Sequence, residues 1–277
     1  MSRPCLLVVA MASLALAGAA HARTSSPKAY VPDAERTIEG GRKVLILLHS
    51  VEEGDDNPYD RSVSRQQAPL RDVYPADDFE QRMPEALKAV VESVPWIGAR
   101  DVETTAEFRW SRVEQEIDAA NTRQLLLLRV EHLVSPDYRT LKVTLRAALF
   151  YRQVPKGLTS RARFKSDWTP YQLDFVVKLS PPGAHDGDSD ASRAFWAVDG
   201  GRRLHAAIDQ SIEWIAARFK LTLDENEQQS LAWRKPNGRG GTLPDGSPGW
   251  VLERSDQAYV GYDSRKHSFN LVGTAAP

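Results

Sequence analysis

Five histidines beyond residue 22 are the side chains best suited to acid–base or metal chemistry, and they are His49, His132, His185, His205 and His267. No two of them have the spacing of a helical zinc motif such as H-E-x-x-H, so the sequence predicts no metal site. His49 follows an apolar run that predicts a strand, and open α/β sheets bind ligands at the carboxyl ends of their strands. His49 is therefore the one candidate for an active-site base, and a half-buried structural histidine is the simpler interpretation.

The stretch 186–190, DGDSD, offers a hydroxyl and closely spaced carboxylates. Its Gly-Asp-Ser triplet resembles the block of a lipase family, but that block should follow the first strand and this triplet precedes the last long helix. The acidic spacing matches positions one, three and five of a calcium loop, but Ala191 and Ala197 replace the glycine and glutamate that such a loop needs. We therefore interpret Ser189 or Asp190 as a helix cap.

Residues 1–22 have the form of a secretory signal peptide. Arg3 supplies a positive charge, residues 5–17 are apolar, and Ala20-His21-Ala22 fits a small-x-small cleavage site. This form predicts export to the bacterial periplasm, with no transmembrane segment after cleavage. The single cysteine, Cys5, lies within the signal, so the mature chain is expected to have no disulfide, cysteine nucleophile or cysteine-bound metal.

Charge balance argues against nucleic acid as a partner. Loss of Arg3 with the signal lowers Lys+Arg from 36 to 35 against 37 Asp+Glu, a formal charge of −2. Such a chain has no basic field that would attract a polyanion. No G-x-S-x-G nucleophile elbow occurs, so the usual α/β-hydrolase serine is absent. Gly238-Arg239-Gly240-Gly241 lacks the rest of a P-loop, and no cofactor is predicted.

Hydrophobic periodicity predicts the elements that would position these groups. Strands are expected at 43–51, 102–108, 124–134, 140–151 and 171–179, with helices at 78–94, 111–121 and 191–219, the last interrupted at Gly200-Gly201. This β-α-β-α-β-β-β-α order predicts an α/β (α+β) mixed-sheet sandwich. We expect a flexible leader at 23–42, a core domain at 43–223 and a partly disordered β-hairpin extension at 224–277, with short strands at 231–234, 250–253 and 258–262.

In fold alone, this order resembles the small α/β domains of bacterial envelope proteins, such as the amino-terminal domain of TolB and the periplasmic core of curli-secretion lipoproteins. No shared motif accompanies the resemblance. It implies a fold and an envelope setting, and it implies no activity.

Three segments have no packing role in this scheme. The loop 52–76 mixes both signs of charge with Tyr59 and Tyr74, which is typical of a loop that orders against a partner. A basic loop covers 152–167. The tail carries aromatic residues that could anchor a partner or stack on sugar rings, and they are Trp233, Trp250, Tyr259 and Tyr262.

These observations favour a non-enzymatic interaction module that binds another protein of the cell envelope. Two alternatives stay open: an exported hydrolase with an unrecognised site near His49, and a glycan- or ligand-binding module that uses the tail aromatics. The candidate binding residues are His49, Tyr59, Tyr74, Trp233, Trp250, Tyr259 and Tyr262. No catalytic residue, cofactor or metal is assigned, and the oligomeric state is left open.

Overall fold

The computed structural model describes residues 29–36, 41–49, 70, 73, 76–105, 124–151, 171–184, 188–234 and 241–276. Predictions for residues 1–22, most of 52–76, 106–121 and 152–167 lie outside these ranges, as do Tyr59, Tyr74 and Asp186.

Helices and strands alternate in the first half of the described chain, and strands dominate its end. In chain order the elements are α1 (Asp33–Arg36), β1 (Arg42–His49), α2 (Ala76–Ser93), a 3-10 turn (Pro95–Ile97), β2 (Ala99–Thr105), β3 (Gln124–Val134), β4 (Leu141–Tyr151), β5 (Tyr171–Ser180), α3 (Ser189–Asp224), α4 (Glu227–Arg234), β6 (Gly249–Arg254), β7 (Ala258–Asp263) and β8 (Ser268–Thr274). No helix among the described residues is long and apolar enough to cross a membrane.

All eight described strands form one mixed sheet in the order β2-β1-β3-β4-β5-β8-β7-β6. β1 is parallel to β2 and β3, and β3, β4 and β5 form an antiparallel meander. The predicted α/β mixed-sheet class is therefore confirmed. The carboxyl-terminal strands continue this sheet, because β8 pairs in parallel with β5.

The main core lies between the sheet and the two long helices. Alternate strand residues point to opposite faces, so Val44 and Ile46 join the core with α2 while Leu45 and Leu47 are buried in a separate cluster on the other face. The apolar run of β1 is thus buried on both faces, as predicted. The predicted apolar stripe of α2 also faces the core, through Phe79, Met83, Leu87, Val90 and Val91, and Val94 directly after the helix is buried there too.

The long helix α3 is interrupted where two glycines predict a break. Val198 leaves the helical region, and Asp199, Gly200 and Gly201 have φ values of 52°, 67° and 82°. Gly201 is required there, since a Cβ would lie 2.7 Å from the carbonyl oxygen of Val73. At the start of α3 the cap is Asp188, whose side chain accepts from the Asp190 amide at 3.0 Å, one residue earlier than predicted.

Two further predictions differ from the structure. Within the predicted flexible leader, Ala29 and Val31 are buried in the main core. The predicted strand at 231–234 is wrong, because those residues belong to α4. Asn226 and Gln229 form a reciprocal capping box, with both side chain–backbone distances 2.9 Å, and this box starts the helix.

Candidate interaction surface

His49, the candidate for an active-site base, is the last residue of β1. Its backbone lies opposite Glu131 of β3, and its side chain lies outside the described residues. The prediction of a hydrolase site near His49 therefore stays a prediction. In the described ranges, no group of three or more His, Asp or Glu side chains is placed to hold a metal ion.

Three of the four tail aromatics pack against one another. The Trp233 ring centroid lies 4.9 Å from that of Tyr262 and 4.5 Å from that of Phe269. Trp250 is parallel to Tyr262 at 6.1 Å. Burial raises the pKa of the Tyr262 phenol to about 12. These rings join the carboxyl-terminal strands to α4, so their packing role is explained without a ligand.

Tyr259 is the exception, because it lies on the other side of β7 from Val260 and Tyr262, which belong to the main core. We call this side the second face, defined as the sheet face opposite α2 and α3. Part of it is the buried apolar cluster Leu45, Leu47, Leu125, Leu127, Ala148 and Phe150. The rest, which we call the polar part, contains charged and polar side chains together with the apolar Leu133, Val176 and Val272. It includes both buried and partly exposed positions.

Strand register arranges this polar part in rows that cross the sheet. The first row, which we call the paired row, contains Arg129, Arg146 and Asp174 on adjacent strands. Arg146 Nε lies 3.2 Å from Asp174 Oδ1, and Arg129 Nε lies 2.8 Å from Oε1 of Glu131. Burial raises the pKa of Asp174, and the Arg146 charge opposes that shift. The charges of the paired row therefore balance within the row and its neighbour Glu131.

A second row, which we call the cationic row, crosses five strands in continuous register: Lys142, Lys178, Val272, Tyr259 and Arg254. Lys142 and Lys178 are directly opposite each other and half-buried. Neither ammonium group forms an ion pair with a described carboxylate. The described part of the second face thus has two like charges side by side without an ion-pair partner.

Two described acids interact with the lysines through their charge, Asp174 with Lys142 and Asp245 with Lys178, and both also have partners of their own. Asp245 lies close enough to Lys178 for that charge to help lower its pKa, but hydrogen bonds from Ser247 are the larger cause. Asp245 Oδ1 accepts from the Ser247 amide at 3.0 Å and from its hydroxyl at 2.6 Å. Burial, followed by the Asp245 charge, raises the pKa of Tyr259. The Asp245 carboxylate therefore stabilises its own turn.

Sequence reasoning did not select Lys142 or Lys178. Each occupies a polar position in an alternating strand, and that position places it on the side away from the core. Periodicity alone could have assigned both to one face. It could not have shown that they are direct neighbours, because that depends on the register between β4 and β5.

Comparison with known proteins adds no family. No protein-family model matches the sequence, and no curated protein matches it. A solved structure described as a PelC dodecamer from Paraburkholderia phytofirmans matches with 12% identity over 56% of this chain and 82% of that chain, at a TM-score of 0.22. A likeness of that size carries no argument about this protein.

Proposed function

We propose that this protein is an exported, non-enzymatic module that binds another protein of the cell envelope through the polar part of its second face. The predicted signal peptide supports the location. The observation that carries the proposal is the pair of rows on one sheet, of which the cationic row has two lysines that form no ion pair with a described carboxylate. Sheet pairing already fixes the backbone that carries both rows, so a partner does not have to order that backbone on binding, which favours association.

The simplest alternative is that the second face only contacts solvent and binds no partner, and the paired row is consistent with this alternative. In that row Arg146 and Asp174 compensate each other. A face with only a solvent-facing role gains nothing from Lys142 opposite Lys178, because like charges directly across a strand pair are destabilising. The cationic row therefore supports a binding role.

The other two functions have less support. Glycan stacking needs exposed rings, whereas Trp233 and Trp250 both pack against Tyr262, which belongs to the core. A hydrolase would depend on His49, whose side chain is not described.

Site-specific photo-cross-linking in cells tests the proposal. A photoreactive amino acid at Val272 would report on the second face, and the same amino acid at Ala89 would report on the exposed side of α2. We expect a discrete protein adduct from Val272 and none from Ala89, in the full exported chain. The proposal fails if Val272 gives no adduct, or if both positions give the same one.

The predicted partner-binding loop, 52–76, can be tested by a deletion that stops before its packed residues. Leu70 is 1% exposed and belongs to the core, and Val73 contacts Gly201. A deletion of 52–69 therefore removes Tyr59 and keeps the anchored end. We expect an unchanged melting temperature and a weaker Val272 adduct, and an undiminished adduct would contradict a role for that segment.

A further inference from the structure

We infer that Lys142 and Lys178 form the binding site for an extended acidic segment of the partner protein. This inference rests on the proposed function and adds the chemistry of the partner. It starts from the continuous register that places both lysines, then Val272, Tyr259 and Arg254, in one row across β4, β5, β8, β7 and β6.

The lysine pair is unfavourable in the isolated protein. Lys142 and Lys178 occupy directly opposed positions of neighbouring strands, an arrangement that is destabilising for like charges. Both side chains are half-buried, so water screens them less than it screens fully exposed lysines. A carboxylate placed between them would relieve the repulsion and form two charge-assisted hydrogen bonds.

The described acids that border the pair compensate it only in part, because Asp174 acts on Lys142 and Asp245 on Lys178 at a distance, and neither forms an ion pair with its lysine. Asp174 contacts Arg146, and Glu131 contacts Arg129. Asp245 accepts two hydrogen bonds from Ser247. The cationic row is therefore compensated only in part by the described residues, and a ligand can supply the rest.

The surroundings favour a peptide over an extended anionic surface. A membrane or a nucleic acid would bring many phosphates against the whole face, including the carboxylates of Glu131, Asp174 and Asp245. Stable attraction to anionic lipid also takes several basic residues together. A single extended segment can instead place one acidic side chain at the lysine pair and another near Arg254. Between these positions, its apolar side chains would contact Val272 and Tyr259.

The first experiment uses a defined probe. A fluorescein-labelled peptide of alternating Glu and Val is titrated with the purified full chain and followed by fluorescence anisotropy, and a Gln-Val peptide is the control ligand. We expect binding of the Glu-Val peptide that weakens as salt is added, and weaker binding of the Gln-Val peptide. The double change Lys142→Glu and Lys178→Glu should reduce affinity for the Glu-Val peptide about ten-fold or more. Lys88→Glu, on α2, should not.

Single variants separate binding from folding. Lys142→Glu alone turns the like-charge pair into an opposite-charge pair with Lys178, so its melting temperature should equal or exceed that of the unaltered protein. The same variant should lose affinity for the Glu-Val peptide. Loss of binding in a variant that is at least as stable cannot be attributed to unfolding. A Lys142→Glu variant that binds the peptide as well as the unaltered protein overturns the inference.

Two further outcomes are decisive. If vesicles of phosphatidylglycerol and phosphatidylethanolamine bind the unaltered protein and the Glu-Val peptide does not, the acidic-peptide inference is wrong. If the in-cell adduct at Val272 forms equally in the unaltered protein and in the double variant, the inference fails and the proposed function stands. Absence of any Val272 adduct in the unaltered protein would instead reject the proposed function itself.

Discussion

Acidification should destabilise this protein through His132, a core residue of β3. The His132 side chain is on the helix-facing side of the sheet and is 8% exposed. Its ring centroid lies 4.1 Å from that of Phe79 on α2. Removal from water disfavours the imidazolium form and lowers the pKa of His132 from 6.5 to about 4.

The sign and size of the effect follow from these two pKa values. Between pH 6.5 and about pH 4, the unfolded chain binds a proton at His132 and the folded chain does not. The stabilisation by neutral His132 is therefore fully present above pH 6.5 and is lost as the pH falls towards 4. A shift of this size corresponds to about 3 kcal/mol in the free energy of unfolding.

Urea unfolding at several pH values, followed by tryptophan fluorescence, measures this loss. His132→Leu keeps an apolar side chain of similar volume and removes the titration. The free energy of unfolding should fall less steeply with acid in this variant than in the unaltered protein, with a difference approaching about 3 kcal/mol near pH 4. Identical pH dependence in both proteins, or an NMR titration of His132 in the folded protein with a pKa near 6.5, would refute the reasoning.

Two other substitutions test packing in and around the main core, on the helix side of the sheet. Gly201→Ala should lower the free energy of unfolding by about 2 kcal/mol or more, because the residue has φ 82° and a Cβ would meet the Val73 carbonyl. Gly183→Ala is the matched control, with φ 71° and open space around the Cβ, and should cost about 1 kcal/mol; equal losses in urea unfolding would contradict the steric argument. Tyr171→Phe removes the 2.9 Å hydrogen bond to the Thr222 hydroxyl inside the core and should cost about 1 kcal/mol. An unchanged urea midpoint would show that this bond contributes nothing.

Local patterns predicted the elements well where one residue period dominated. The β3–β4 hairpin has the predicted bounds within one residue, and the register Val134 to Leu141 closes it. The apolar stripe of α2 and the interruption of α3 at Gly200-Gly201 were also predicted correctly. Both depend on effects within a few residues, namely the spacing of side chains on a helix and the backbone freedom of glycine. The prediction of a strand at 231–234 was wrong because a short apolar run fits a strand or a helix equally well. The capping box at Asn226 favours the helix.

Of the candidate site residues whose side chains the structure describes, Tyr259 alone lies in the surface that we propose. The sequence showed that the tail was rich in aromatics, and the structure separates Tyr259 from Trp233, Trp250 and Tyr262 by the face on which each lies. Alternation within one strand cannot say which face is covered by helices. That depends on how α2 and α3 pack on the sheet.

The α/β class, the alternation of polar and apolar residues along each strand and the two sides of α2 follow from interactions between residues close together in the sequence. These features could therefore be predicted without a structure. The pairing of β8 with β5 and the position of Lys142 opposite Lys178 required the folded chain. Those contacts join residues far apart in sequence, and a strand moved by one residue would place every side chain on the other face. The cationic row depends on the register of five strands, which places its residues next to one another across the sheet. Alternation along a single strand does not define that register.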